Sequence, residues 1–277
     1  MKKIKKENRL SIGQMLSILF FVLTILFVIM PSVFTGYDPL ENNLTERLSG
    51  ASLSHWLGTD EYGRDILCRI IYGTRSSFLV GFGTAMFSML IGVPLGLIAG
   101  YYGGMADTII MRIMDAFQSF PSILLAILMM TVFEPSVESL IITISMVSYP
   151  RFTRLVRGSV LSIKKMEYIE SARASGANAG YIMFHCIMPN CLGNIIAQFT
   201  LLMSTAILIE AGLSFLGFGI QPPEPAWGSM LSYAKKYVAQ SLAYITGPTM
   251  MIFCVVMSIN TLGDLLKDKL DPQKRRR

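Results

Sequence analysis

Long apolar runs recur along this chain, and they restrict its possible folds more than any other feature. A helix needs roughly 20 residues to cross the hydrocarbon core of a bilayer, and inside lipid such a run folds as a helix because its backbone polar groups must be satisfied internally. Six runs approach or exceed that length, at residues 12–34, 77–99, 111–133, 137–154, 190–216 and 244–262. The sequence therefore predicts an all-α membrane protein with six transmembrane helices.

The composition agrees with this prediction. Apolar residues make up 52% of the 277 residues and charged residues 15%, a balance that disfavours a soluble domain. Abundant Gly, Met and Phe suit closely packed helices better than a β-barrel. The four cysteines have no CxxC spacing and are expected to be small buried side chains rather than disulfides or metal ligands. The first run is too long for a signal peptide, so we expect it to be retained.

Basic residues predict the orientation, because loops rich in Lys and Arg stay on the cytoplasmic side. With the N-terminus inside, 18 of the 24 Lys and Arg residues lie on that side. Both termini are therefore expected in the cytoplasm, where the basic tail suits anionic headgroups better than nucleic acid. The predicted layout is a cytoplasmic N-terminus (1–11), a first span (12–34), an external segment with an amphipathic helix (35–76), a helical core (77–265) with a cytoplasmic loop (155–189), and a basic tail (266–277).

The stretch EYIESARASGANAGYIMFHCIMPN, residues 167–190, is weakly hydrophobic and charged, and it falls in the cytoplasm in this orientation. Periodicity predicts a short helix over 164–175 with Ile169 on its apolar face. Gly176 is a natural stop, and a second short helix would end before Pro189, which suits the first turn of the next span. The first helix either lies on lipid headgroups or docks in a groove on another protein.

The same stretch resembles the signature loop of bacterial ABC import permeases, which reads EAA, three residues, Gly, nine residues, then IxLP. The matching places are held by Glu170, Ser171, Ala172, Gly176, Cys186, Met188 and Pro189. Three of them depart from the signature, since Ser171 replaces Ala, Cys186 replaces Ile and Met188 replaces Leu. Residues 58–75, 210–231 and 260–272 are similar to segments of the C-type permease subunit of the dipeptide, oligopeptide and nickel transport family.

This resemblance implies a type I ABC importer permease in the bacterial cytoplasmic membrane, with 77–265 as the permease core. It implies a second homologous permease subunit, two ABC ATPase subunits at the cytoplasmic loops and an external substrate-binding protein. The chain has no GxxxxGK[ST] loop, so it is not expected to be an enzyme or to bind a cofactor. ATP and magnesium would be held by the ATPase partners.

Three groups of candidate functional residues follow. The coupling loop for the ATPase would consist of Glu167, Glu170, Ser171, Ala172, Arg173, Gly176 and Pro189. A narrow polar stripe on the fifth run either lines the substrate pathway or bonds to a neighbouring helix, and it consists of Asn194, Gln198 and Thr205. The external gate or the contact with the binding protein would involve Asp60, Arg64, Asp65, Glu210, Pro222, Pro223 and Trp227.

Alternative roles stay open for that third group. The acids before Ile66 could form a solvated first turn of a helix resting on the membrane, Trp227 is expected as an interfacial anchor, and Glu210 could pair locally. At the cytoplasmic side, Arg112 and Asp115 have the spacing of a pair on one helix face.

Di- or oligopeptides are the expected cargo, with nickel or a metal chelate as the alternative. The two histidines, His55 and His185, fall on opposite sides of the membrane, so no metal site is expected. A secondary transporter or channel would need ion-coupling carboxylates deep in the spans, and only Asp115 and Glu210 are candidates, both near helix ends. A membrane enzyme is disfavoured because there is no HExxH motif and no nucleophile elbow.

Overall fold

The computed structural model describes residues 11–270, and the regular secondary structure in this part of the chain is helical, with no β-strand. The predicted cytoplasmic ends therefore lie mostly outside it, at residues 1–10 and 271–277. A π-helical turn is formed by Ile182–Ile187. The helices are α1 (Ile12–Ile29), α2 (Ile66–Tyr102), α3 (Gly104–Gln118), α4 (Ser122–Met130), α5 (Val137–Ile163), α6 (Glu167–Ala174), α7 (Ala179–Tyr181), α8 (Met188–Phe215), α9 (Trp227–Ala234) and α10 (Leu242–Leu270).

The described helices confirm the all-α class but not the number of spans. Four are long and apolar enough to cross a membrane, namely α1, α2, α10 and the continuous helix Ala179–Phe215. The predicted third span is broken near Pro121 into α3 and α4, which meet at 80° and would supply a fifth crossing if they act together. Helix α5 carries Arg151, Arg154 and Arg157 in its second half, which lowers its hydropathy. The count of six stays a prediction.

Helices α2 and α5 form the most extensive contact of the bundle. Three glycines on α2, four residues apart, face α5 without side chains, so the two backbones come close. A Cβ added at Gly92 would lie 2.5 Å from the Phe152 Cβ, and one at Gly96 would lie 2.7 Å from the Thr153 carbonyl oxygen. At Gly100 it would lie 2.7 Å from the Val160 Cβ. The two helices therefore pack closely along α2 from Gly92 to Gly100.

Contacts near the two ends of helix α2 give the length of the bundle. Near its start, Trp227 Nε1 donates to the Ile70 carbonyl oxygen at 3.1 Å, and near its end, Lys164 Nζ donates to the Gly100 carbonyl oxygen at 2.7 Å. Thirty residues of helix separate these two contacts, which corresponds to about 45 Å, more than the ~30 Å hydrocarbon core of a bilayer. We call the two ends the Trp227 end and the α6 end.

The prediction that the 35–76 segment contains an amphipathic helix resting on the membrane surface is wrong. Residue 66 begins α2, and the apolar face expected to rest on the membrane is buried, with Ile66 and Ile71 exposing 0% and 3% of their surface. The segment before α2 folds back over its first turns, where Arg69 Nη1 donates to the Pro39 carbonyl oxygen at 2.6 Å. Sequence reasoning could not find this cover, because it depends on contacts thirty residues apart.

Candidate functional site

The α6 end presents a short charged helix that is anchored by one apolar residue. Ile169 is fully buried within the hydrophobic core. Around it Glu167, Glu170, Ser171 and Arg173 are exposed, whereas Ala172 is half-buried. The helix spans Glu167–Ala174, slightly shorter than predicted. Its mixed-charge face is thus fixed in position while remaining free for a partner.

A tight turn ends α6 at the predicted stop. Gly176 adopts φ +82°, a backbone conformation that side chains disfavour. An added Cβ there would meet no atom within 4 Å, so glycine is required by the backbone rather than by space. The Ala177 amide donates to the Ala172 carbonyl oxygen at 3.1 Å, and the Asn178 side chain then caps α7 by accepting from the Tyr181 amide at 2.7 Å.

The base of α6 is tied to the start of α8. Asn190 Nδ2 donates both to the Tyr168 hydroxyl at 3.1 Å and to the Cys186 carbonyl oxygen at 2.8 Å. Pro189 is exposed in the first turn of α8, as the sequence predicts. Helix α6 is therefore linked to the first turn of α8 by hydrogen bonds. Neither Tyr168 nor Asn190 was predicted as a site residue, because their pairing spans a turn of unknown geometry.

Two ion pairs join α3 to α5 near the same end. Asp115 accepts from Arg154 Nη2 at 2.5 Å, and Asp107 accepts from Arg157 Nη2 at 2.6 Å. The predicted pairing of Asp115 with Arg112 on its own helix is therefore wrong. The physical reason is that α5 lies against α3 and offers its arginines from across the interface.

The polar stripe on α8 makes contacts inside the chain. Asn194 is exposed, and its Nδ2 donates to Ser159 Oγ of α5 at 3.2 Å. The Thr205 hydroxyl bonds to the Leu201 carbonyl oxygen of its own helix, and Gln198 is half-buried. The contact of Asn194 fits the helix-bonding alternative, and a role for the stripe in the substrate pathway stays a prediction.

At the Trp227 end, the predicted acidic cap is a buried ionic network rather than a solvated turn. Asp60 exposes none of its surface, and its Oδ2 lies 2.7 Å from Arg64 Nε and 3.5 Å from Arg69 Nε. Beside it, the Tyr244 hydroxyl of α10 donates to Glu61 Oε2 at 2.7 Å. The network ties the 35–65 segment to α2 and α10. Arg69 and Tyr244 were missed because sequence spacing does not show which distant side chains pair.

A histidine links two further carboxylates of this segment. His55 is buried, with Nδ1 2.8 Å from Asp65 Oδ2 and Nε2 3.2 Å from Glu46 Oε2. Burial alone would lower the pKa of His55, but the hydrogen bonds to Asp65 and Glu46 and their negative charges outweigh it and raise that pKa above 6.5. Asp65 also caps α2, because its Oδ1 accepts from the Cys68 amide at 2.6 Å. Asp65 therefore has a structural role in addition to any contact with the binding protein.

Trp227 is not the interfacial anchor that was predicted. It is fully buried, and it bonds to α2 instead of facing a membrane surface. The residues that protrude from this end are Pro222, Pro223 and Glu224, which are all exposed. Glu210 is fully buried in the last turns of α8 and pairs locally with Ser214 Oγ at 2.7 Å, in agreement with the local alternative.

These features define a class of protein. Membrane-length helices form a bundle with an anchored charged helix at one end and a segment held by buried ion pairs at the other, as expected of a transport permease. Residues 92–276 match the family described as binding-protein-dependent transport system inner membrane component. The chain belongs to this family, and the resemblance to C-type ABC importer permeases seen in the sequence is confirmed. It is an integral, multi-pass membrane protein.

Relatives cover nearly the whole chain. The dipeptide transport system permease protein DppC of Alkalihalophilus pseudofirmus is 43% identical over 98% of this chain and 88% of its own length. The oligopeptide permease OppC of Bacillus subtilis is 37% identical over 98% and 88%, and the glutathione permease GsiD of Pectobacterium atrosepticum is 42% identical over 92% and 85%.

A solved structure shares the architecture. A chain of the inward-facing MetNI methionine ABC transporter aligns with a TM-score of 0.63 over 74% of this chain and 97% of that chain, at 20% identity. This likeness confirms the expected type I ABC importer permease fold.

Proposed function

We propose that this chain is one of two homologous permease subunits of an ATP-driven importer and forms half of a pathway for di- or oligopeptides. The exposed mixed-charge face of α6, held by the buried Ile169, is the observation that carries the proposal. Such a face on a fixed helix fits a groove on another protein. Two ABC ATPase subunits, which bind ATP and magnesium, are the partners that this family calls for.

The orientation follows from the loop charges. The α6 end carries the arginines of α5 and the lysines that follow it, so it faces the cytoplasm. The Trp227 end then faces outward, where an external substrate-binding protein would dock at Pro222 and Pro223 to deliver its cargo. The six-span arrangement with both termini inside completes this topology in the bacterial cytoplasmic membrane.

Motion at α6 would drive transport. Closure of the ATPase pair displaces α6, and the bonds through Tyr168 and Asn190 pass the displacement to α8. Because packed helices move as rigid bodies, this displacement alternates access to the pathway from the two sides. The ion pairs between α3 and α5 keep those helices together during the movement.

Peptide cargo is supported by relatives named for dipeptides, oligopeptides and glutathione. A metal chelate remains the second candidate at the sequence level. Uptake of a radiolabelled dipeptide, and separately of a chelated nickel ion, by proteoliposomes holding the full complex decides between them. Peptide uptake that depends on the binding protein and on ATP supports the proposal, and nickel uptake alone overturns the peptide assignment.

The coupling role of α6 is tested by replacing Gly176 with Lys, which strains the turn and adds a charge beside α6. We expect normal membrane insertion but loss of uptake and of ATPase stimulation by the binding protein. Gly180→Ala is the matched control, because that glycine lies in α7 at a φ that any residue adopts and an added Cβ meets only Asn178 Oδ1 at 3.6 Å. Full transport by Gly176→Lys would refute docking through this turn.

A further inference from the structure

A fully buried carboxyl group lies inside the bundle near the Trp227 end. Glu210 belongs to the last turns of α8, and none of its surface is exposed. Its Oε1 accepts from Ser214 Oγ at 2.7 Å, and the same hydroxyl accepts from the Ile220 amide at 3.3 Å. Ser77 of α2 also lies near this carboxyl group. Both Glu210 Oε2 and Ser77 Oγ are buried, and neither has a hydrogen-bond partner among residues 11–270.

Within residues 11–270, no cationic side chain forms an ion pair with this carboxyl group. The ion pairs between residues of the described part, 11–270, do not include Glu210. A negative charge with neither water nor a cation is expensive in a membrane interior. A protonated acid avoids that cost, because it can accept at Oε1 while donating from Oε2. A neutral Glu210 would therefore keep its bond to Ser214 through Oε1 and supply through Oε2–H the partner that Ser77 Oγ lacks.

The bonds of Glu210 lead into the loop that follows α8. Ile220 belongs to the proline loop, which we define as residues 216–226, and this loop leads into α9. The loop packs closely on α8, since an added Cβ at Gly219 would lie 1.8 Å from Ser214 Oγ. The first turn of α9 is equally close, because a Cβ at Gly228 would lie 2.5 Å from the Ala211 carbonyl oxygen.

We propose that Glu210 is a positioning residue, a neutral acid that fastens the proline loop to α8 and α2. In this arrangement the Ile220 amide donates to Ser214, Ser214 donates to Glu210 Oε1, and Glu210 Oε2–H donates to Ser77. The chain of bonds spans three elements and fixes where the exposed tip of the loop stands. Since the proposed function puts Pro222 and Pro223 of this tip on the outer face, Glu210 sets the position of the two prolines that meet the binding protein.

The test compares three variants in the full complex. Glu210→Leu removes both bonds, Glu210→Gln keeps a neutral group that donates and accepts, and Glu224→Leu is the matched control because that glutamate is exposed on the same loop. Hydrogen–deuterium exchange of peptides covering 216–226 is the direct readout. We expect exchange in Glu210→Leu to be roughly tenfold faster, as loss of a buried hydrogen bond allows, while the other two variants match the wild type.

A second readout separates positioning from general damage. In Glu210→Leu, stimulation of the ATPase by the binding protein should fall by roughly tenfold while the unstimulated ATPase activity is retained, and Glu210→Gln should restore the stimulation. If Glu210→Gln behaves like Glu210→Leu, a charge is required and the proposal is overturned. Unchanged exchange in Glu210→Leu overturns it as well.

Two safeguards keep the outcome decisive. If Glu210→Leu is absent from membranes, Ser214→Ala removes the middle hydroxyl with little change in volume and should give the same faster exchange. Hydrogen–deuterium exchange is measured without cargo, so it does not depend on which substrate is transported. A wild-type complex that fails to transport peptide would count against the proposed cargo alone. The exchange result would still decide on Glu210.

Discussion

Gly96 provides the sharpest test of how α2 and α5 fit together. In Gly96→Ala, the new Cβ would lie 2.7 Å from both the Thr153 carbonyl oxygen and the Val156 Cβ. Ordinary contact begins at 3.4 Å, so each distance falls short by about 0.7 Å. Neither neighbour is the flexible end of a side chain. The helices must therefore separate or the α5 backbone must bend.

The cost can be estimated from similar overpacking in protein cores. Inserting one methyl group against rigid neighbours costs about 1–3 kcal/mol. Separating the helices would also loosen the contacts at Gly92 and Gly100, which lie one turn away on either side. Glycine in a helix is otherwise unfavourable by about 0.5–1 kcal/mol relative to alanine. The expected sign at Gly96 is thus opposite to that of an unconstrained helical glycine.

Gly158 is the matched control for this prediction. It lies in α5, and an added Cβ would meet no atom within 4 Å. We expect the midpoint of thermal unfolding, measured for the purified complex in mild detergent, to fall in Gly96→Ala and to stay level or rise in Gly158→Ala. If both variants are as stable as the wild type, the close approach of α2 and α5 is refuted.

Three further predictions concern charged and polar contacts. Because the pKa of His55 is raised, its tie is complete below about pH 6.5 and is lost as the pH rises through the raised value. The midpoint of thermal unfolding should therefore fall as the pH is raised above about 6.5, and His55→Gln should lack this component of the fall. Tyr244→Phe should lower the free energy of unfolding by about 1–3 kcal/mol, since it leaves Glu61 Oε2 buried without its donor, and an unchanged midpoint would contradict this. Asp115→Arg should reduce uptake, and adding Arg154→Asp should restore it, whereas an additive loss would argue against their pairing.

Much of the α6 end could be predicted from the sequence, because its signals are local. The period of three that includes Ile169, the stop at Gly176 and the position of Pro189 in the next helix are all fixed by neighbouring residues. Local hydrogen bonding and backbone preference decide such features whatever the rest of the chain does. Membrane residence and the all-helical class followed equally directly, since the solvent imposes them on any long apolar run.

The partners of the polar groups were decided by the tertiary structure alone. Asp115 bonds across to α5, the Asp60 network is closed by Arg69, and Trp227 is buried against α2. Burial of a charge or an indole depends on which helices meet, and sequence spacing does not encode that meeting. The full burial of Glu210 shows the same limit, because the sequence left open whether this residue pairs locally or serves the external gate. The sequence by itself determined that the chain resides in a membrane and where its local turns form. The packing of distant helices determined what each polar side chain does.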